Sequence, residues 1–359
     1  MELIVKNFGP IKDAHIQTKR YNVLIGNTST GKSVLAKLIS IAYELEFYFI
    51  EDGNFDAFAK LLKKYCIDFP FSEYTQIEIS FESAHWIITK DCFRGVKSIG
   101  DGDVQRKADI IANVYDKNAS IYIPAERNLM SVFTNNIFSF LKSGANIPES
   151  IKRFGSLYEA AKGENKNLSI DFMNIKVDFA NEDDKIVLDD AGTEIRFEQA
   201  SSGMQSIIPL WAVFLYGIKN HSLGTAIIEE PELNLFPTLQ VDLVNNLVAQ
   251  LNQTKANLLI TTHSPYILSV LDNLIYANDV YQKAKAADNK EQIQRIEKLV
   301  KPSMLINYDE VAAYLCKDDG VVERMNDDEM RNTGAYALDK ASTITSHIFN
   351  ELMDIENEL

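Results

Sequence analysis

The chain has 359 residues, 46% of them hydrophobic and 24% charged, and carries a formal net charge of −15. That is enough apolar material for one large domain or a domain plus a lobe, and the acidic balance argues against a surface built wholly to grip nucleic-acid phosphates, which needs clustered Lys and Arg. No apolar run approaches the ~20 residues of a membrane-spanning helix, and the opening "MELIVKNFGPIKDAHIQ" lacks the basic segment and long apolar core of a secretion signal, so a cytoplasmic location is expected.

The first thirty residues read as three β-prone runs, "ELIVKNFG", "DAHIQTK" and "YNVLIG", parted by a Gly-Pro turn and a basic polar turn. Helical spacing of apolar residues predicts a helix from Ser33 to about Phe49. Between Asn54 and Ala119 helical and strand patterns mix, with "TQIEISFES" and "HWIITK" as a hairpin pair and "ADIIANVYDKN" as a helix; "SIYIPAERN" then reads as an apolar strand ending in a proline and an acid-base pair. Helices return from Leu129 to about Lys166, interrupted by "SGANIPES", where Pro148 suits a helix start. Strand-like alternation with two acidic turns follows to Ser201. The pattern then runs helix (Ser206 to Ile218), strand ("GTAIIEE"), helix (Thr238 to Leu251), strand ("ANLLITTHS"), helix and strand ("NLIYA"). This βαβ rhythm predicts a parallel sheet of buried strands. A charged helical stretch, "YQKAKAADNKEQIQRIEKLVK", leads to a hairpin, "VAAYLCKDDGVVERM", and a C-terminal helix around "ASTITSHIFNELMDI". The sequence shows no internal repeat, low-complexity segment or long heptad array.

The segment "GNTSTGKS", Gly26 to Ser33, fits G-x-x-x-x-G-K-[ST] between a predicted strand and a predicted helix. Glycines let a backbone fold around phosphate oxygens, and a helix N-terminus adds positive potential. Gly26, Asn27, Thr28, Ser29, Thr30 and Gly31 are the candidate cradle, with Lys32, Ser33 and Val34 opening the helix. Lys32 can reach β- and γ-phosphates and the Ser33 hydroxyl can ligate Mg²⁺, so ATP with Mg²⁺ is the expected ligand. Hydrolysis needs more than a phosphate loop, because metal and attacking water must both be held. Glu229 and Glu230, at the carboxyl end of a buried parallel strand, are the candidates.

Downstream of the phosphate loop come "ASSGMQS", a Ser-Gly turn opening a helix, then the two acids, then "LLITTHSPY" with His263 beyond the next strand. In this order the chain resembles the ABC/SMC-like ATPases, and within them the OLD-like and RecF-like group with short lobes in place of long coiled coils. "LIVKNFGPIKDAHI" looks like that group's opening strands, "IYIPAERN" like a motif of its defence-associated members, and "EEPELNLFP" and "TTHSPYIL" like its Walker B and His-switch segments. The resemblance implies an α/β P-loop NTPase, an ABC-type ATPase head whose mixed β-sheet is flanked by helices and interrupted by an inserted helical and β lobe. The core would comprise residues 1–50 and 187–359, and the lobe 51–186, including part of the core sheet near 120–127. It also implies roles. Lys32 and Ser33 would hold phosphate and metal, Glu229 would take the metal side, Glu230 would orient the attacking water and His263 would sense the γ-phosphate. Ser202 and Gly203 would close on ATP bound by a second copy, making a homodimer with ATP at its interface.

The sequence departs from the family pattern in places. Glu229 stands where Asp is usual, Met204 replaces a second signature glycine, and Phe236 stands where many relatives have His. The glutamine that usually follows the first lobe strand could be Gln76 or Gln105. Arg127 reads equally as an ion-pair partner of Glu126 or as a nucleotide or coupling residue. Phe8 reads as core, and His15, His85, His221 and His347 as ordinary. Cys66, Cys92 and Cys316 form neither a C-x-x-C pair nor a metal cluster with the histidines.

Three functions compete. The first is the motor or sensor of a prokaryotic anti-phage defence system, acting with a separately encoded nuclease or toxin: about a hundred residues follow His263, without the D-x-D of the nuclease domain that many OLD-like relatives carry. The second is a RecF-like DNA-repair ATPase contacting DNA; "KLLKKY" and "KRFGSLYEAAKGENK" are its short basic candidates. The third is a transporter's ATPase subunit, against which "SSGMQ" and "NFGPI" argue. A slow ATP-dependent clamp is a non-enzymatic variant of these.

Overall fold

The computed structural model describes residues 1–81, 84–97, 120–133, 147–180, 184–188, 192–220, 223–335 and Met353. The helix expected over 108–118 and, but for Met353, the one expected around 341–355 lie outside these residues, as do Gln105, His221 and His347.

The chain opens with an antiparallel hairpin, β1 (Glu2–Phe8) and β2 (Ile11–Gln17), then β3 (Tyr21–Gly26) and helix α1 (Lys32–Ala42). Helix α2 (Phe55–Lys64) precedes a meander of β4 (Gln76–Phe81), β5 (Ala84–Thr89) and β6 (Cys92–Lys97). Next come β7 (Ser120–Ile123) and α3 (Glu149–Glu164). Strands β8 (Asn167–Ile170), β9 (Ile175–Asp178), β10 (Lys185–Leu188) and β11 (Thr193–Arg196) form a separate antiparallel sheet. Helix α4 (Ser202–Lys219), β12 (Thr225–Glu229), α5 (Pro237–Leu251), β13 (Asn257–Thr262) and α6 (Pro265–Ala286) follow. Helix α7 (Lys290–Leu299), β14 (Val311–Cys316) and β15 (Val321–Arg324) complete the described elements.

Among the described residues the main sheet has eleven strands in the order β6-β5-β4-β1-β2-β15-β14-β3-β13-β12-β7. Its centre, β14-β3-β13-β12-β7, is parallel, and β1, β2, β4, β5 and β6 make an antiparallel wing. Both faces of the parallel part are covered, which is why its strands are apolar at successive rather than alternate positions. Val23, Ile25, Ala226, Ile228, Leu258 and Ile260 face a core shared with α4, α5 and α6, whereas Leu24, Ile227 and Leu259 face the α1 side. All five parallel strands therefore present their carboxyl ends along one edge, where α/β sheets place their ligands. The fold class is α/β, a mixed sheet flanked by helices, as the sequence predicts. Among the described residues no helix is long and apolar enough to cross a membrane.

Several local expectations need correction. "NLIYA" is not a strand but the middle of α6: Ile267, Leu268, Val270, Leu271, Leu274 and Ile275 are buried at helical spacing, and packing overrides the strand propensity of Ile and Tyr. The first long helix stops at Ala42, and a separate turn spans Leu45–Tyr48. Helix α4 starts at Ser202 rather than Ser206 because Ser201 caps it. The charged stretch is two helices, broken at Asp288 (φ 48°) and restarted by the Asn289 side chain, which accepts from Gln292 N. Strand β6 is a further strand beyond the hairpin pair that the sequence pattern indicates.

Candidate functional site

Strand β3 ends where the chain must pass very close to β14. A Cβ on Gly26 would lie 2.2 Å from the Cys316 carbonyl oxygen, so only glycine fits. Ser29 (φ 66°) and Gly31 (φ 93°) turn the loop through left-handed conformations into α1, whose first turn carries Lys32, a half-buried Ser33 and a buried Val34. Thr30 Oγ1 donates to Asn27 O at 2.9 Å, and the Asn27 amide donates to both oxygens of Asp318 at 3.0 and 3.1 Å. Lys32 Nζ lies across the loop, donating to Gly26 O (2.9 Å) and Asn27 O (2.7 Å). Burial pulls this ammonium below its ordinary value, and Cys316, Glu230, Glu232 and Glu229 pull the other way.

Strand β12 delivers the acids. Glu229 is buried; its Oε2 accepts from Ala125 N at 3.4 Å, and its Oε1 has no hydrogen-bond partner among the described residues. The Tyr122 hydroxyl, held beside this carboxylate without a hydrogen bond of good geometry, is pushed well up, first by burial and then by Glu229. At Glu230 the chain reverses with φ 42°, a costly conformation for a residue with a Cβ, and Glu230 N donates to Thr261 O at 2.8 Å. The reversal turns the Glu230 side chain toward His263, whose Nε2 is 3.2 Å from Glu230 Oε1 and whose Nδ1 is 3.5 Å from Lys32 Nζ. A neutral ring that accepts from the ammonium at Nδ1 carries its proton on Nε2, facing Glu230.

The structure thus brings Lys32, Glu229, Glu230 and His263 together at one sheet edge. Ser202 and Gly203 make their contacts elsewhere. Ser202 is exposed on the first turn of α4, Ser201 Oγ accepts from Met204 N (3.4 Å), and a Cβ on Gly203 would lie 3.0 Å from Asn234 O. Phe236, 75% exposed, sits just before Pro237 at the start of α5. Gln76 lies on β4 and donates to Glu78, five strands from β3 in the sheet order.

Four polar residues matter more than their sequence context suggests. Arg127 is not paired with Glu126. It is fully buried and donates to four backbone carbonyls, Pro124 O, Ser206 O, Glu229 O and Glu230 O; burial pulls its guanidinium down to about 10, against Glu232, Glu230 and Glu229. Glu232 Oε1 accepts from Thr262 Oγ1 (2.6 Å) and His263 N (2.7 Å), fixing the loop that carries the imidazole. Gln240 accepts from Ser264 Oγ (2.7 Å) and donates to Leu235 O (3.1 Å), tying that loop to the start of α5. Asp318 holds the phosphate loop through Asn27. The acidic density of "EEPE" and of "KDDG" was the available signal for Glu232 and Asp318; Gln240 had none.

The sequence profile of the AAA ATPase domain matches residues 85–268, just over half of the chain. The chain belongs to the AAA ATPase domain family. The match runs from β5 through β12 and its acids to the His263 loop, and begins downstream of the phosphate loop. No curated protein matches this AAA ATPase in sequence. Among solved structures it is similar to the SMC head domain from Thermotoga maritima, at 13% identity over 75% of this chain and 90% of that one, with a TM-score of 0.41. It is also similar to an Smc head bound to the C-terminal winged-helix domain of ScpA, at 14% identity over 76% and 91%, TM-score 0.42. A third is an Smc head domain with an extended coiled coil, bound to the C-terminal domain of ScpA derived from Pyrococcus furiosus, at 12% identity over 97% and 98%, TM-score 0.47.

Proposed function

We propose that this AAA ATPase binds ATP with Mg²⁺, hydrolyses it, and dimerises around it. The carrying observation is the convergence of the Lys32 ammonium, the Glu229 and Glu230 carboxylates and the His263 ring on one sheet edge, with one oxygen of buried Glu229 lacking a hydrogen-bond partner among the described residues. The Ser33 hydroxyl and the Glu229 carboxylate are hard oxygen donors that suit Mg²⁺, which takes its other ligands from phosphate and water. Among the described residues no cluster of three or more His, Cys, Asp and Glu offers an alternative all-protein cage. When bound, the cation supplies charge neutralisation on the β- and γ-phosphates.

The chain's own residues do the rest. Backbone amides from Asn27 to Gly31 and the N-terminus of α1 cradle the phosphates, and Lys32 exchanges the carbonyls of Gly26 and Asn27 for phosphate oxygens. Glu230 orients the attacking water and accepts its proton. His263 holds Glu230 from one side and meets the γ-phosphate beside Lys32 from the other. Ser202 and Gly203, at the start of the 18-residue α4, close on the γ-phosphate held by a second copy. ATP then controls assembly, because the phosphate charge is neutralised from both sides only in the closed pair.

We further place the chain in the OLD-like and RecF-like group, as the motor or sensor of a prokaryotic defence system with a separate nuclease or toxin effector. In this reading residues 1–50 and 187–359 carry the nucleotide and the inserted residues 51–186 carry the partner. Supporting it is "IYIPAERN", whose Arg127 bonds the backbone of both acids. The test combines ATP turnover, molar mass by light scattering with and without ATP, and co-purification. Turnover, an ATP-dependent dimer and a stable nuclease or toxin partner are expected. Absence of ATP binding would overturn the reading, and salt-sensitive binding to gapped DNA without a protein partner would replace defence by a RecF-like repair role.

A further inference from the structure

We infer that Arg127 is a positioning residue that locks the acids Glu229 and Glu230 to the start of α4, so that the two parts of the site move as one body. The inference rests on the roles proposed above for those acids and for Ser202 and Gly203. Arg127 has no solvent exposure. Its Nη1 donates to Glu229 O (2.7 Å) and Pro124 O (3.2 Å), its Nη2 to Glu230 O (2.7 Å), and its Nε to Ser206 O (3.1 Å). A guanidinium is a planar fork of five donors with no acceptor, so one rigid group fixes the ends of β7 and β12 and the first turns of α4 relative to each other.

The choice of partners separates this from an ordinary buried cation. A buried Arg is usually balanced by a carboxylate. Here the hydrogen bonds go to main-chain carbonyls, two of them belonging to the acids proposed to hold the metal and orient the water. The Glu230 carbonyl is also the one whose direction the left-handed turn at φ 42° makes costly to keep. A second strut runs parallel to the first. Gly203 packs on Asn234 O, and the turn containing Asn234 is fixed to the His263 loop through Glu232. A displacement of Glu230 when the γ-phosphate leaves would therefore carry the start of α4 with it. In a dimer that helix start serves the other nucleotide, so Arg127 is the link by which one site's state reaches its neighbour.

The test uses the full chain and Arg127→Lys, which keeps the charge and stem but replaces the planar fork by a single ammonium. Because Arg127 bonds neither Lys32 nor the phosphate loop, affinity for a non-hydrolysable ATP analogue is expected to stay within about threefold while kcat per folded molecule falls about tenfold or more, and any cooperativity in ATP is reduced. Wild-type kcat and cooperativity in Arg127→Lys would overturn the inference, as would losses that only follow the folded fraction. Should Arg127→Lys not fold, amide exchange of the wild-type chain decides: segments 124–127, 204–208 and 229–232 are expected to change protection together when the analogue binds, and independent responses overturn the link. If the wild-type chain neither binds nor hydrolyses ATP, the proposed function fails and this inference with it. If it does both and Arg127→Lys is unchanged, the inference fails alone.

Discussion

His263 stands between Lys32 and Glu230, with Nδ1 3.5 Å from the ammonium and Nε2 3.2 Å from the carboxylate. The ring thereby joins the phosphate loop to the acid proposed to activate water. Glu230→Gln keeps an acceptor oxygen for His263 Nε2–H but cannot take a proton. Turnover is expected to fall by about a hundredfold or more, since a general base contributes on the order of 10²–10⁴. ATP affinity should hold, and the dimer should persist in ATP on size-exclusion chromatography. Hydrolysis at the wild-type rate would show that Glu230 does not orient the water.

Glu232 gives a sharper test because its two oxygens differ. One accepts from Thr262 Oγ1 and His263 N; the other is buried without a partner among the described residues. Glu232→Gln retains the accepting oxygen and should leave kcat within about threefold, whereas Glu232→Ala strands the Thr262 and His263 donors, at about 1–3 kcal/mol of stability. The loosened imidazole should also lower kcat by about 10- to 100-fold. Steady-state kinetics and urea unfolding of both variants check this; equal effects of Gln and Ala would assign the role to the charge instead.

Which of these features the sequence could reveal follows from where their partners lie. The phosphate loop is eight contiguous residues between a strand and a helix, so local pattern suffices. Glu229 and Glu230 become legible once strand order places them on the same edge as Gly26. Arg127 could not be read this way, because Ser206 O and Glu229 O lie 79 and 102 residues on and a backbone carbonyl leaves no mark in the sequence. Glu232 is likewise out of local reach of its partners, since its carboxylate holds a residue 31 positions later. The misread "NLIYA" shows the opposite failure, a local preference of Ile and Tyr overridden by the packing of the one buried face of α6.

Lys32 links nucleotide binding to pH. Burial lowers its ammonium from the ordinary 10.5, so in the window between the lowered value and 10.5 the unfolded chain binds more protons than the folded one. Folding stability contributed by this group therefore rises with pH through that window, and the cost of burying the charge is fully present below it. Phosphate reverses the balance by favouring the protonated form, so ATP binding inside the window takes up a proton and weakens as pH rises. Calorimetry in buffers of different ionisation enthalpy should detect this uptake. Heats identical in all buffers across the window would contradict it, and Lys32→Ala should abolish binding altogether.

Two glycines should respond oppositely to alanine. At Gly26 the new Cβ would meet the Cys316 carbonyl oxygen at 2.2 Å, and both β3 and β14 are fixed by sheet pairing, so no side-chain rotation relieves the clash. Gly26→Ala should cost about 3 kcal/mol or more and distort the loop that carries Asn27. At Gly163, on the exposed side of α3, a Cβ meets nothing within 4 Å. Gly163→Ala should stabilise by about 0.5 kcal/mol, the lower end of the helix preference for Ala over Gly, because the site lies one residue from the helix end. Denaturant midpoints of the two variants against wild type measure both. A Gly26→Ala chain as stable as wild type and still able to bind ATP would mean that β3 and β14 do not approach as closely as the proposed phosphate cradle requires.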